Sequence, residues 1–85
     1  MARFKVGDVV KLVNINYSFG HITVLRKNPT YSFKIGMLFE IITISGGGKG
    51  KRVRYKCRND NIDSITLFNQ EIEKASRNET IMFKL

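Results

Sequence analysis

The sequence predicts an all-β fold in which one sheet closes into a small barrel. Short segments of alternating polar and apolar residues are separated by turns that contain glycine or proline. A helical period is not sustained over ten residues anywhere in the chain. Because 85 residues can bury only one core, such a sheet must curl to cover its apolar face and protect its edges. We therefore expect a single domain over residues 1–85.

Two strands are predicted in the first third of the chain. Apolar residues of one parity surround the Gly7-Asp8 turn in the first segment, RFKVGDVVKLVN: Phe4, Val6, Val10 and Leu12. Residues 20–28 form the second segment, whose β-branched side chains suit a strand. Pro29 cannot donate a ladder hydrogen bond and holds the preceding residue extended, so a turn or irregular loop is expected through residues 30–32.

The middle of the chain predicts a β-hairpin. Residues 33–45 (FKIGMLFEIITIS) are the most apolar segment and are typical of a central strand that is interrupted near Gly36. Three consecutive glycines, residues 46–48, then break the strand, and glycine supplies the positive φ that tight turns require. Residues 51–58 alternate strictly between charged and apolar side chains, which predicts the second strand of the hairpin.

The last third predicts two further strands and one helical turn. Residues 59–63 are polar and turn-prone, and residues 65–68 form a short strand. Residues 69–76 (NQEIEKAS) begin with a capping asparagine followed by acids, as a single helical turn does. Residues 80–85 place alternate apolar side chains on one face and predict a closing strand. The total is five to six strands with one short helical turn before the last strand.

Both an SH3-like barrel and an OB-fold satisfy these constraints. Predicted strand lengths and the single turn before the last strand favour the SH3-like barrel, and the OB-fold remains the alternative.

The chain also resembles a known group of small barrels. The string FKVGDVVKLV is followed by KIGMLFEIITI, a basic strand, a short strand and EIEKA, and this succession resembles the SH3-like barrels that include KOW-type and Tudor-like modules. In that group a Gly-Asp turn opens the first strand, a second glycine opens another, and a 3-10 turn precedes the last strand. The matching features here are Gly7-Asp8, Gly36 and residues 69–75. Small size and richness in Lys, Asn, Ile and Phe also resemble bacteriophage accessory proteins, which implies a role in host modulation.

The net charge of +8 is unevenly distributed. Residues 1–59 hold twelve Lys and Arg against Asp8 and Glu40, whereas residues 60–85 hold three against five acids. Such a field attracts polyanions, including nucleic acid, an acidic protein surface or anionic lipid, and salt screens the attraction. The charge indicates a polyanionic partner but does not identify which one. The alternative explanation is that the excess charge serves solubility alone.

The strand after the glycines carries the sharpest signal. Strand alternation sends Val53, Tyr55 and Cys57 to the core and the intervening basic side chains to the opposite face. Like charges about 7 Å apart repel one another unless acids or a polyanion face them. The predicted nucleic-acid-binding residues are the basic residues of this strand and its loop, together with three cations elsewhere: Lys49, Lys51, Arg52, Arg54, Lys56, Arg58, Arg26, Lys27 and Lys34. The alternative is a solvated face.

Other site chemistries fit the sequence less well. A phosphate-binding P-loop needs Ser or Thr where Arg52 stands, and needs a helix where a strand is predicted. Four aromatic residues in the connections are interpreted as plugs for the barrel ends: Tyr17, Phe19, Tyr31 and Phe33. The chain lacks an RNP-type motif for reading single strands, so duplex DNA contacted through its backbone is preferred.

The sequence predicts a binding protein and not an enzyme. His21 and Cys57 are the only residues of their types, so ordinary catalytic pairs and His/Cys metal sites are not expected, and no cofactor is implied. The first hypothesis is low-specificity binding of duplex DNA through a basic β-hairpin, with RNA as a less favoured ligand. The alternative is a protein-interaction module, such as a phage-encoded factor that modulates an acidic host protein or the transcription machinery.

The sequence also carries expectations about location. Its apolar runs are far shorter than the roughly 20 residues of a membrane-spanning helix, and the N-terminus has no secretory pattern. One cysteine excludes an internal disulfide and fits a reducing compartment. We therefore expect a cytoplasmic protein without a membrane partner, located in the host cytoplasm if it is phage-encoded.

Overall fold

A computed structural model describes residues 3–14, 24–26 and 34–85 and shows a mostly β domain. Its six described strands are β1 (Val9–Leu12), β2 (Val24–Arg26), β3 (Leu38–Gly46), β4 (Val53–Asn59), β5 (Ile62–Leu67) and β6 (Ile72–Lys74). A 3-10 turn (Asn69–Glu71) precedes β6, and helix α1 (Arg77–Lys84) follows it. The strands form one antiparallel sheet in the order β2-β5-β4-β3-β1-β6. The all-β class and the short turn before the last strand are confirmed.

Several predicted features lie outside the described residues. They are the ends of the strand predicted over residues 20–28, the loop through residues 30–32, and His21, Tyr17, Phe19, Tyr31 and Phe33.

The buried side chains form one core cluster, and strands that are far apart in the sheet contribute to it. Ile65 of β5 and Ile72 of β6 both belong to it, although three strands separate β5 from β6 in the sheet. Leu12, Phe39 and Tyr55 lie in the same cluster, and all three are almost completely buried. Because one cluster collects side chains from strands as far apart in the sheet as β5 and β6, the sheet curls around its apolar face, consistent with a small barrel.

Bulges help the sheet to curl and reset which side chains face inward. The pairing of β3 with β4 shifts between Ile41 and Thr43, and a second shift occurs between β4 and β5. An extra residue in one strand bends that strand and increases its twist. After the bulge in β3, Ile44 packs against the core while Thr43 and Ser45 are exposed. Outer-face residues near the hairpin are therefore polar.

Tyr55 joins the N-terminal segment to the 3-10 turn. Its hydroxyl donates to Asn69 Oδ1 at 2.6 Å and accepts from the Arg3 backbone N–H at 2.9 Å. The Phe4 ring meets the Tyr55 ring edge-on, with centroids 5.4 Å apart. Arg3 Nη1 also donates to the carbonyl oxygen of Asn69 at 3.2 Å. These contacts hold residues 3 and 4 across one end of the core.

The 3-10 turn is capped differently from the prediction. Phe68, not Asn69, occupies the N-cap position, and the buried Glu71 side chain accepts from the Phe68 N–H at 3.0 Å. The Asn69 side chain instead receives the Tyr55 hydroxyl. The Glu71 carbonyl oxygen accepts from the Val13 N–H at 2.8 Å, which ties the turn to the end of β1.

The strand predicted over residues 80–85 is wrong, because this segment belongs to α1. Ser76 and Glu79 form a capping box: Ser76 Oγ accepts from the Glu79 N–H at 3.1 Å, and Glu79 Oε1 accepts from the Ser76 N–H at 3.0 Å. Lys11 Nζ on β1 lies 3.3 Å from Glu79 Oε2 and anchors the helix to the sheet. The Ser76 backbone N–H, with its hydroxyl and Lys11, holds the pKa of Glu79 below its usual value.

Among the described residues no helix is long and apolar enough to cross a membrane.

The glycine turn of the predicted hairpin is confirmed and is hydrogen-bonded. The Gly47 N–H donates to the Arg52 carbonyl oxygen at 3.3 Å, and the Lys51 N–H donates to the Gly48 carbonyl oxygen at 2.8 Å. Gly46 has a φ of +77°, and a Cβ at this position would collide with the Arg52 carbonyl oxygen. The loop therefore depends on glycine at position 46.

We expect Gly46→Ala to lower the free energy of unfolding by at least about 2 kcal/mol, because left-handed backbone and a steric collision add. Gly48→Ala is the matched control, since Gly48 lacks a positive φ and a Cβ there meets nothing within 4 Å. The control should change stability by less than about 1 kcal/mol. Urea denaturation measures both, and equal effects would contradict the described turn.

The Tyr55 hydrogen bonds should be visible in a double-mutant cycle. We expect Tyr55→Phe to lower the free energy of unfolding by about 1 to 3 kcal/mol, because it leaves Asn69 and the Arg3 N–H without this partner. Asn69→Ala should also destabilise, and the double variant should fall short of the sum by at least about 0.5 kcal/mol. Asn78→Ala, at an exposed position in α1, controls for the substitution itself. Strict additivity would contradict the coupling.

Candidate nucleic-acid interface

The predicted alternation of β4 is confirmed. Val53, Tyr55 and Cys57 are buried in the core cluster. The intervening Arg54, Lys56 and Arg58 are exposed. The strand thus presents its cations on the outer face of the sheet while its apolar side chains hold it in place.

Hydroxyl side chains flank the middle of this row. Across the β3–β4 pairing, Arg54 lies opposite Ser45 and Lys56 lies opposite Thr43. On the other side, Lys56 lies opposite Thr66 of β5. No acidic residue occurs in the sequence between Glu40 and Asp60. Around Arg54 and Lys56 the outer face therefore consists of cations beside neutral hydrogen-bonding groups.

Arg58 differs from the other basic residues of β4. Glu40 lies opposite it on β3, and Glu40 Oε1 is 3.7 Å from Arg58 Nη2. These two side chains also line a cavity of about 240 Å³ with Asn59, Asp60 and Phe83 of α1. An acid faces this cation and a second acid lies nearby, so the attraction for a polyanion is weakest at this end of the row.

The hairpin extends beyond the strand next to it. The last pairing of β4 with β5 toward the turn joins Tyr55 to Leu67, whereas β3 and β4 remain paired to Gly46 and Val53. Beyond that point the chain is a two-stranded ribbon with a loop that carries exposed lysines. We call the cations of this ribbon and of the adjoining β4 the basic hairpin surface: Lys49, Lys51, Arg52, Arg54 and Lys56.

An open cleft of about 530 Å³ lies at the base of the ribbon. Its charged lining residues are Lys51, Arg52 and Arg54, and Ser45 and two glycines also line it. Phe68, which directly precedes the 3-10 turn, provides an aromatic wall. The Arg52 guanidinium carbon lies 6.0 Å from the centre of the Phe68 ring, in cation–π range. We call this site the hairpin cleft.

Lys34 and strand β2, which ends at Arg26, lie away from the basic hairpin surface. Lys34 is exposed in the turn that precedes β3, and the nine residues of β3 separate it from the hairpin loop by roughly 25 Å. Arg26 ends β2, a strand at the edge of the sheet, and Lys27 lies outside the described residues. The structure therefore groups five of the nine predicted residues.

The neutral members of the site, Phe68, Ser45, Thr43 and Thr66, are not predicted from the sequence. A usable signal exists for Thr43 and Ser45, because the segment before the glycines is paired with the basic strand in any hairpin. The Phe68 contact depends on the path of the chain through β5 and carries no local signal.

Cys57 is inward-facing and has no role in this surface. Its thiol lies 3.6 Å from the carbonyl oxygen of Tyr55, and burial raises the pKa from its ordinary value of 9.0 to about 12. In the part of the chain that the structure describes, no three His, Cys, Asp or Glu residues group in a way that could hold a metal ion.

Comparisons with known proteins return no relative for this chain. No protein-family model matches it, and neither the curated proteins nor the solved structures contain a match. The resemblance to SH3-like barrels therefore stays a prediction from the sequence.

The buried thiol predicts a specific loss of stability at high pH. The unfolded thiol releases its proton above about pH 9, while the folded thiol keeps it up to about pH 12, so rising pH favours unfolding across that window. We expect the stability of the wild type to fall by up to about 1.4 kcal/mol per pH unit more than that of Cys57→Ala. Urea denaturation between pH 8 and pH 11 at fixed ionic strength, ~0.1 M, measures the difference. Parallel pH profiles would contradict it.

Proposed function

We propose that the protein is a non-enzymatic DNA-binding protein that holds duplex DNA with low sequence specificity through the basic hairpin surface. The observation that carries the proposal is the position of Arg54 and Lys56. Both are exposed on the outer face between Ser and Thr residues, and Glu40, the nearest acid before the hairpin in the sequence, pairs with Arg58 instead.

The chemistry of this surface suits phosphate. Phosphate oxygens in DNA complexes are contacted by Arg, Lys, Ser and Thr side chains and by backbone N–H groups. Alternate residues of a strand lie about 7 Å apart, a spacing that lets successive cations of one face contact separate phosphates. Arg54 and Lys56 can therefore match phosphates at regular intervals, and such contacts carry no sequence information.

The shape of the hairpin suits duplex DNA. The major groove of B-DNA, about 12 Å wide, admits a two-stranded β-ribbon. Beyond Tyr55 the hairpin is such a ribbon, and Lys49 and Lys51 lie in its exposed loop. A ribbon in the groove would bring β4 alongside a phosphate backbone. This geometry favours the duplex over a protein partner as the first ligand to test.

The test is titration of a labelled duplex by fluorescence anisotropy at several salt concentrations. Five phosphate contacts predict that log K falls with log salt with a slope of about −4 to −5. The double variant Arg54→Ala/Lys56→Ala should weaken binding at least about tenfold at low salt and should flatten the slope by about 2, because two phosphate contacts are lost.

A charge-matched control separates local contacts from net charge. Lys74→Ala/Arg77→Ala removes the same two positive charges from β6 and α1, where both side chains are exposed. This control should bind duplex DNA within about threefold of the wild type. Failure of the wild type to bind at low salt, or equal weakening by both double variants, would overturn the proposal. If an acidic protein is recovered from nuclease-treated lysate while DNA is not bound, the basic hairpin surface serves a protein partner instead.

A further inference from the structure

The hairpin cleft combines an aromatic wall with positive charge. Phe68 lines the cleft together with Lys51, Arg52 and Arg54. Its volume of about 530 Å³ falls within the range of small-molecule sites. A purely apolar ligand would not use the charge of Lys51 and Arg54, and a simple anion would not contact the ring. An aromatic ligand that carries phosphate uses both features.

We propose that the hairpin cleft binds one unpaired nucleotide of a DNA strand, with its base stacked against Phe68 and its phosphate beside Lys51 and Arg54. The inference rests on the proposed function, and it adds a preference within that function. A base in an intact duplex is stacked between its neighbours and cannot reach Phe68. The protein should therefore prefer a duplex that adjoins single-stranded DNA to a continuous duplex.

Phe68 is held in place for such a role. Its backbone N–H donates to the buried Glu71 carboxylate, and its carbonyl oxygen accepts from the Glu71 N–H at 3.0 Å. The next residue, Asn69, is fixed by the hydroxyl of Tyr55. Because the backbone around Phe68 is already held by these hydrogen bonds, little conformational entropy is lost when a base stacks on its ring.

The other residues that line the cleft suit a base, its sugar and its phosphate. Arg52, which lies over the Phe68 ring, can stack on a base in the same way as on the ring. Ser45 offers a hydroxyl, and Gly46 and Gly50 line the cleft without side chains, so a sugar-phosphate backbone can approach closely. Base stacking on an aromatic side chain tolerates any base, in keeping with low sequence specificity.

The experiment compares two DNA ligands with equal numbers of nucleotides. One is a blunt duplex, and the other is a slightly shorter duplex with a single-stranded overhang. Anisotropy titrations at one salt concentration give the ratio of the two Kd values. We expect the wild type to bind the overhang DNA at least about fivefold more tightly, the lower range for one base–aromatic stack. Phe68→Leu keeps an apolar side chain but removes the ring, so the ratio should fall to about one.

Two controls make the result decisive. Lys56→Ala changes a cation outside the cleft, so it should weaken binding of both ligands by the same factor and leave the ratio intact. Circular dichroism verifies that each variant is folded. A wild type that binds both ligands equally, or a ratio that survives in Phe68→Leu, would overturn this inference and leave the proposed function standing. Absence of binding to either ligand would overturn the proposed function itself.

Discussion

The hydrogen bond from the buried Tyr55 hydroxyl to Asn69 is the contact on which the arrangement of the site depends. Tyr55 is fully buried at the centre of β4, so its side chain fixes that strand relative to the core. Through Asn69 it also fixes the start of the 3-10 turn, and through the Arg3 N–H it holds the N-terminal segment. Phe68 directly precedes that turn. The hydrogen bond between Tyr55 and Asn69 thus sets the position of Phe68 relative to the cations of β4.

The outer face is divided by charge. At the far end of β4, Arg58 meets Glu40 near α1, while Arg54 and Lys56 lie among hydroxyl groups near the ribbon. Glu40 therefore relieves the self-repulsion of the row at Arg58. The same distribution that leaves positive potential around the ribbon would orient a polyanion toward the loop. The ion pair of Arg58 and the proposed binding surface thus lie toward opposite ends of one strand.

Local patterns predicted the elements whose partners lie nearby in the chain. The alternation of β4 and the glycine turn are confirmed because both depend on adjacent residues, and Gly46 adopts the positive φ that such turns require. The C-terminal helix was mistaken for a strand because Ile81, Phe83 and Leu85 alternate. A helix signal was nevertheless present in Ser76 and Glu79, whose spacing matches a capping box. Asn69 was assigned to the cap, but the Tyr55 hydroxyl uses its side chain instead.

The sequence by itself determined that β4 has an apolar face and a basic face, since a period of two places alternate side chains on opposite sides of any strand. It also determined the low acid content around the hairpin. Only the tertiary structure decided which cation meets an acid, because the bulge in β3 sets the pairing of Glu40 with Arg58 and of Ser45 with Arg54. It also decided that Phe68 faces Arg52, a contact between residues that β4 and β5 separate in the chain. Such contacts depend on register and chain path, which local side-chain patterns do not encode.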